Sequence, residues 1–166
     1  MQSKGVGIRD NREESGDKGE EMGFEILAHG GEAAARRKDV EEILLVEDDL
    51  DFVQDLLASW KAPCHLSVVS SGKEAFEYLQ AFSPALVLLD LSLPHHLAET
   101  DAMEGREILS YIKRQLGNQV PVIVISRDAS PEAKAYVLRS GAQEYLEKPF
   151  DIAKLDECVA KLMMKK

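Results

Sequence analysis

The chain has 166 residues, 45% of them hydrophobic and 30% charged, and carries a net charge of −10 at neutral pH. That size and apolar fraction suit one globular domain with a sizeable core plus a tail. The acidic balance excludes nucleic-acid binding by the chain itself, because a phosphate backbone needs a basic face, and it suits partners with basic patches. No apolar run is long enough to enter a bilayer, so no membrane insertion is expected. Phe24-Glu25-Ile26-Leu27 is too short and too interrupted for a secretory signal. Cys64 and Cys158 fall in no metal-ligand spacing, the ordinary pattern of a reducing cytoplasm, where the chain is expected to work.

Residues 1–39 are rich in Gly, Glu, Lys and Arg and nearly empty of aliphatic runs. They read as a disordered extension, with one short local element at 24–28. A regular alternation begins at Val40, and residues 40–166 read as the folded domain. Ile43-Leu44-Leu45-Val46 is wholly apolar, as a parallel strand buried on both faces must be. Val53, Leu56, Leu57 and Trp60 follow at helical spacing, with Asp48 or Asp49 as cap and Pro63 in the next turn. His65 to Val69 is a second strand. Ser71 with Glu74 forms a capping box for a helix that turns Ala75, Phe76 and Leu79 inward. Ala85 to Leu89 is a third strand ending at Asp90. Glu104 to Leu116 is the third helix, stopped by Gly117. Val120 to Ile125 is the fourth strand, and Ser130-Pro131 opens a helix that stops at Gly141. Tyr145-Leu146 marks a short fifth strand. A last helix runs from about Asp151 to Leu162 on the stripe Ile152, Leu155, Val159 and Leu162.

Five apolar strands alternating with five helices imply an α/β fold, an open parallel sheet with helices on both faces. In such doubly wound sheets the functional crevice lies beyond the C-terminal ends of the strands. Those ends carry Glu47, Asp48 and Asp49 after the first strand, Asp90 after the third, Ser126 after the fourth and Lys148 after the fifth. If the strands are neighbours, these groups converge. Clustered carboxylates repel one another unless a cation relieves them, and an all-oxygen set suits Mg²⁺. A carboxylate beside a metal and an ammonium is placed to attack phosphorus, with the two cations holding the oxygens of the group in transfer.

Four segments carry a resemblance: Ile43 to Asp49, Leu88-Leu89-Asp90-Leu91-Ser92-Leu93-Pro94, Val122 to Ser126, and Gly141 to Phe150. In order and at these offsets they resemble the signature blocks of response-regulator receiver domains, across about residues 41–164. The resemblance implies a five-stranded sheet in the order 2-1-3-4-5. It implies Asp90 as phosphoryl acceptor, Asp48 as a direct Mg²⁺ ligand, Glu47 as a ligand through water and the Ser92 backbone carbonyl as a further metal contact. Ser126 and Lys148 would each meet a phosphoryl oxygen. Tyr145 falls at the aromatic position whose rotamer reports phosphorylation in the family, with plain packing as the alternative, and the Lys148–Pro149 bond would be cis. A sensor histidine kinase or phosphotransfer protein would supply the phosphoryl group. A downstream protein would read the face made by the fourth helix, fifth strand and fifth helix, and that face leaves a homodimer open. No enzyme activity is implied beyond the domain's own phosphotransfer and dephosphorylation. No output domain is expected after the fifth helix, so the chain would act by protein contact or as a relay intermediate.

Two features depart from the family pattern. Gly105 comes eleven residues after Pro94, where the family needs about five. The stretch 95–104 is therefore an insertion beside the acceptor, read either as a gate or kinase contact or as a tolerated surface loop. Its adjacent pair His95 and His96 makes a poor chelate. Arg127 follows Ser126 where the family carries a small residue, and is expected either to shield the acyl phosphate from water and slow its hydrolysis or to be simply solvated. Three other functions compete. A receiver-fold adaptor that is never phosphorylated would tend to lose one of the acids, the serine or the lysine. A haloacid-dehalogenase-type phosphatase would need an acid at position 92. A flavodoxin-like electron carrier would need a phosphate-cradling loop where three acids stand.

Overall fold

The structure, a computed structural model, describes residues 24–26, 40–93 and 105–164. The insertion at 95–104 with its two histidines, Pro94, and the extension apart from Phe24–Ile26 lie outside the described residues. The strands are β1 (Phe24–Ile26), β2 (Glu42–Val46), β3 (His65–Val69), β4 (Leu86–Asp90), β5 (Val122–Ser126) and β6 (Glu144–Glu147). The helices are α1 (Leu50–Ser59), α2 (Gly72–Ala81), α3 (Gly105–Gln115), α4 (Pro131–Arg139) and α5 (Ile152–Met163).

All pairings are parallel, in the order β1-β3-β2-β4-β5-β6. The last five of these reproduce the expected 2-1-3-4-5 sheet. The sixth strand comes from within the N-terminal extension: β1 pairs with β3 through Phe24 to Leu66, Glu25 to Ser67 and Ile26 to Val68.

The strands are apolar throughout because helices cover both faces, and the period of two sorts their side chains between two cores. Leu44, Val46, Val87, Leu89, Val122 and Val124 meet Ala75 and Leu79 of α2, Ile108, Leu109 and Ile112 of α3, and Val137 of α4. On the other face Ile43, Leu45, Leu86, Leu88, Ile123 and Ile125 meet Val53 and Leu56 of α1 and Leu155, Val159 and Leu162 of α5. Each such aliphatic side chain contributes roughly 1.5–3 kcal/mol on burial, so the sheet is a rigid base for the loops at its C-terminal edge.

Local chemistry sets the element ends. Asp49, Ser71, Ser130 and Asp151 cap their helices by accepting bonds from Phe52, Glu74, Ala133 and Ala153 backbone N–H groups. Trp60 is not on α1 but caps its C-terminus in extended conformation, still buried, with its indole N–H donated to Asp156 of α5. The strand expected from Val120 begins at Val122 after a short 3₁₀ turn, Gly117–Gln119. Pro121 explains the delay: it has no N–H for the ladder, and only its carbonyl takes part, accepting from the Val87 N–H at 2.9 Å. The turns at Gly117 and Gly141 use positive φ, 61° and 101°.

Gly105 opens α3 against the acceptor strand. A Cβ there would stand 2.5 Å from the Asp90 carbonyl oxygen and 2.7 Å from Leu91 Cα, so α3 rests directly on the backbone that carries Asp90. Gly105→Ala should lower stability by about 1–3 kcal/mol, the usual penalty of overpacking, as measured by urea denaturation. A change within experimental error would show that α3 is not seated on β4.

Candidate functional site

The ladders aim the charged residues. Val46 pairs with Leu89, Asp90 with Ile125 and Ser126 with Glu147. One further backbone bond continues the pairing beyond the strands on each side. Glu47 N–H donates to Val69 O at 2.9 Å, and Lys148 N–H donates to Ser126 O at 2.8 Å. Glu47 and Lys148 are therefore held on opposite sides of Asp90 by main chain, and the Lys148–Pro149 bond is cis.

The side chains meet in one network. Lys148 Nζ donates to Asp90 Oδ2 at 2.8 Å and to Glu47 Oε2, and all three side chains are almost completely buried. The other Asp90 oxygen, Oδ1, accepts from the Ser92 N–H at 2.7 Å. Glu47 Oε1 accepts from the Asp49 N–H at 3.2 Å. The Lys148 ammonium also lies 4.1 Å from the centroid of the Phe52 ring, an aromatic face that favours the cation.

Glu47, Asp48 and Asp90 form a carboxylate cluster whose ligand atoms all lie within 4.8 Å of one another, with Asp48 the most exposed. When ionised, three carboxylates against one ammonium leave two negative charges uncompensated. The imbalance is visible in Glu47. Burial is the largest influence on its carboxyl and, with the negative charge of Asp90, pushes its pKa from 4.5 to about 7 against the opposing pull of Lys148. An all-oxygen, acceptor-only donor set short of two positive charges fits a hard divalent cation and offers nothing to a soft one.

Ser126 and Tyr145 lie one step away. Ser126 is buried at the end of β5, its Oγ accepting from the Asp128 N–H at 3.2 Å. Tyr145 is buried in the α2–α4 core and donates its hydroxyl to the Asp128 carbonyl. Both predicted residues thus fasten the same residue, which the sequence reading passed over. The signal was present, since Asp128 stands two residues before the Ser130 cap and its Oδ1 accepts the Ser130 N–H at 2.9 Å. Arg127, between them in sequence, pairs with Asp49 Oδ2. The Asp49 carboxyl is held below the usual carboxylate range, first by the Phe52 N–H and also by Arg127. Arg127 and Lys148 line one cleft of about 560 Å³ with Phe52, Asp55, Phe150 and Ile152.

The raised Glu47 pKa has a consequence for stability. Between pH 4.5 and about 7 the folded chain holds a proton on Glu47 that the unfolded chain has released. Its contribution is therefore present in full below pH 4.5 and is lost as the pH rises through about 7. In metal-free buffer, the stability of wild type relative to Glu47→Gln should fall across that window in urea titrations. A constant difference would mean that Glu47 is ionised throughout.

The chain matches the family described as response regulator receiver domain over residues 43–160. It is 35% identical over 121 residues to the Regulator of RpoS of Escherichia coli K12, an alignment covering 71% of this chain and 33% of that protein. The chain thus spans only about a third of that relative's length. Among solved structures it resembles the Francisella response regulator 1452 receiver domain, at a TM-score of 0.66 and 27% identity over 75% of this chain and 98% of that one. It also resembles the receiver domain of sensor histidine kinase PA1611 from Pseudomonas aeruginosa PAO1, solved with a magnesium ion coordinated in the active site cleft. There the TM-score is 0.61 and the identity 25%, over 75% of this chain and 98% of that one. No helix among the described residues is long and apolar enough to cross a membrane. With a matching sequence over most of its length and the sheet order of the fold, the chain belongs to the response regulator receiver domains of two-component signalling.

Proposed function

We propose that this chain is a phosphorylation-driven switch in which Asp90 accepts a phosphoryl group from a phosphohistidine of a sensor kinase or phosphotransfer protein. The observation that carries this reading is the Lys148 ammonium bonded to Asp90 Oδ2 within a three-carboxylate cluster. An Asp90 oxygen forms the bond to phosphorus as the donor's P–N bond breaks, and the imidazole leaves with the electron pair. Lys148 compensates charge on the transferring oxygens, and Ser126, by exchanging its bond to Asp128, supplies a hydroxyl to another. Glu47, Asp48 and Asp90, with the Ser92 carbonyl, would hold Mg²⁺, which supplies further charge neutralisation when bound.

The output follows from the Asp128 link. Ser126 and Tyr145 both bond Asp128, so a Ser126 hydroxyl drawn toward a phosphoryl group loosens the loop that holds Tyr145. The readout surface is then the face of α4, β6 and α5. On α4 the large apolar side chains Leu138 and Tyr136 are exposed, Tyr136 on the side of α3, where its ring lies 5.0 Å from the Arg106 guanidinium. A protein that prefers one state of this face shifts the population toward it.

Intact mass after incubation with Mg²⁺ and acetyl phosphate tests the acceptor. One phosphoryl group should be gained by wild type, and none by Asp90→Asn or without Mg²⁺. Absence of the gain in wild type, with histidine kinases as donors too, would favour a receiver-fold adaptor that binds partners without phosphorylation.

A further inference from the structure

Arg127 has no place in the charge network around Asp90, yet it sits at its edge. It directly follows Ser126, whose neighbour Ile125 is in register with Asp90. It also shares a cleft with Lys148. Its guanidinium is engaged by Asp49 Oδ2, while the other Asp49 oxygen is occupied as the α1 cap by the Phe52 N–H at 3.1 Å. The side chain is 70% exposed, too open to shield the acceptor from water as it stands. An exposed ion pair of this kind is weakly held. A guanidinium fork prefers the several oxygens of a phosphoryl group to one carboxylate oxygen, because it can donate two parallel bonds.

We infer that Arg127 is a phosphoryl-binding residue parked on Asp49, which it leaves when an anionic group is attached at Asp90. The inference rests on the acceptor role proposed for Asp90. It adds a second protein cation to Lys148 and makes Asp49 a competitor for it. Asp49 therefore opposes the phosphorylated state although it touches neither the acceptor nor its lysine. A closed lid made by the Arg127–Asp49 pair would behave differently, since both residues would then act in the same direction.

The full chain, titrated by calorimetry with beryllium trifluoride in the presence of Mg²⁺ as a phosphoryl mimic, distinguishes these cases. Arg127→Ala should weaken binding on the order of tenfold, the loss of a charge-assisted bond, and Arg127→Lys should recover part of it. Asp49→Asn keeps a capping side chain but releases the arginine, and should tighten binding about threefold. In the double variant the gain should vanish. Tighter binding by Asp49→Asn is not an outcome that misfolding can produce. Weakening by both single variants would establish the lid instead, and unchanged binding by Arg127→Ala would remove Arg127 from the site; either overturns the inference. Failure of the wild-type chain to bind the mimic would defeat the acceptor reading itself, and this inference with it.

Discussion

The site depends on one ammonium group divided between two buried carboxylates. Lys148 reaches Glu47 and Asp90 at once, and each of the three would be costly in the interior without the others. The arrangement is deliberately short of charge. One cation holds the two acids at the ends of different strands, but with Asp48 nearby it cannot neutralise all three. Burial first, and then the charge of Asp90, raise the Glu47 pKa to about 7 in spite of Lys148. Such a site is preformed by its own ion pairs and still short of positive charge, which suits the phosphoryl-accepting role proposed for Asp90.

The sheet makes this precision affordable. Glu47 and Lys148 belong to loops, but each is tied to the neighbouring strand by a backbone bond that extends the ladder. The strands themselves are locked by two apolar layers, one under α2, α3 and α4 and the other under α1 and α5. Gly105 shows how closely the helical layer approaches, since α3 begins where even a methyl group would meet the Asp90 backbone. The bonds of Ser126 and Tyr145 to Asp128, and of Arg127 to Asp49, lie outside the Lys148 network, and in each one partner is more exposed than the other.

Much of this was legible along the chain. The five apolar strand runs had to be buried on both faces, so a parallel sheet and its C-terminal crevice followed, and Asp90, Lys148 and the Glu47–Asp48 pair fell at its edge by position alone. The helix caps at Ser71 and Ser130 were equally readable because a cap is a local bond. Boundaries drifted where a neighbour intervened. Pro121 brings no N–H to the ladder and joins it only through its carbonyl, which accepts from Val87, and Trp60 follows the helical stripe in sequence yet leaves the helix and donates to Asp156.

The sequence by itself determined the residue types at the strand ends and the alternation that brings those ends together, because periodicity and charge are properties of neighbours along the chain. Only the tertiary structure decided how the charges are shared. That Lys148 bridges Glu47 and Asp90, that Asp128 joins Ser126 to Tyr145, and that Asp49 engages Arg127 across 78 residues all depend on side chains from separate strands meeting in space. The same holds for β1, three residues within the N-terminal extension that pair with the edge of β3. A strand so short has too few bonds of its own to stand alone, so its partner, rather than its sequence, decides its conformation.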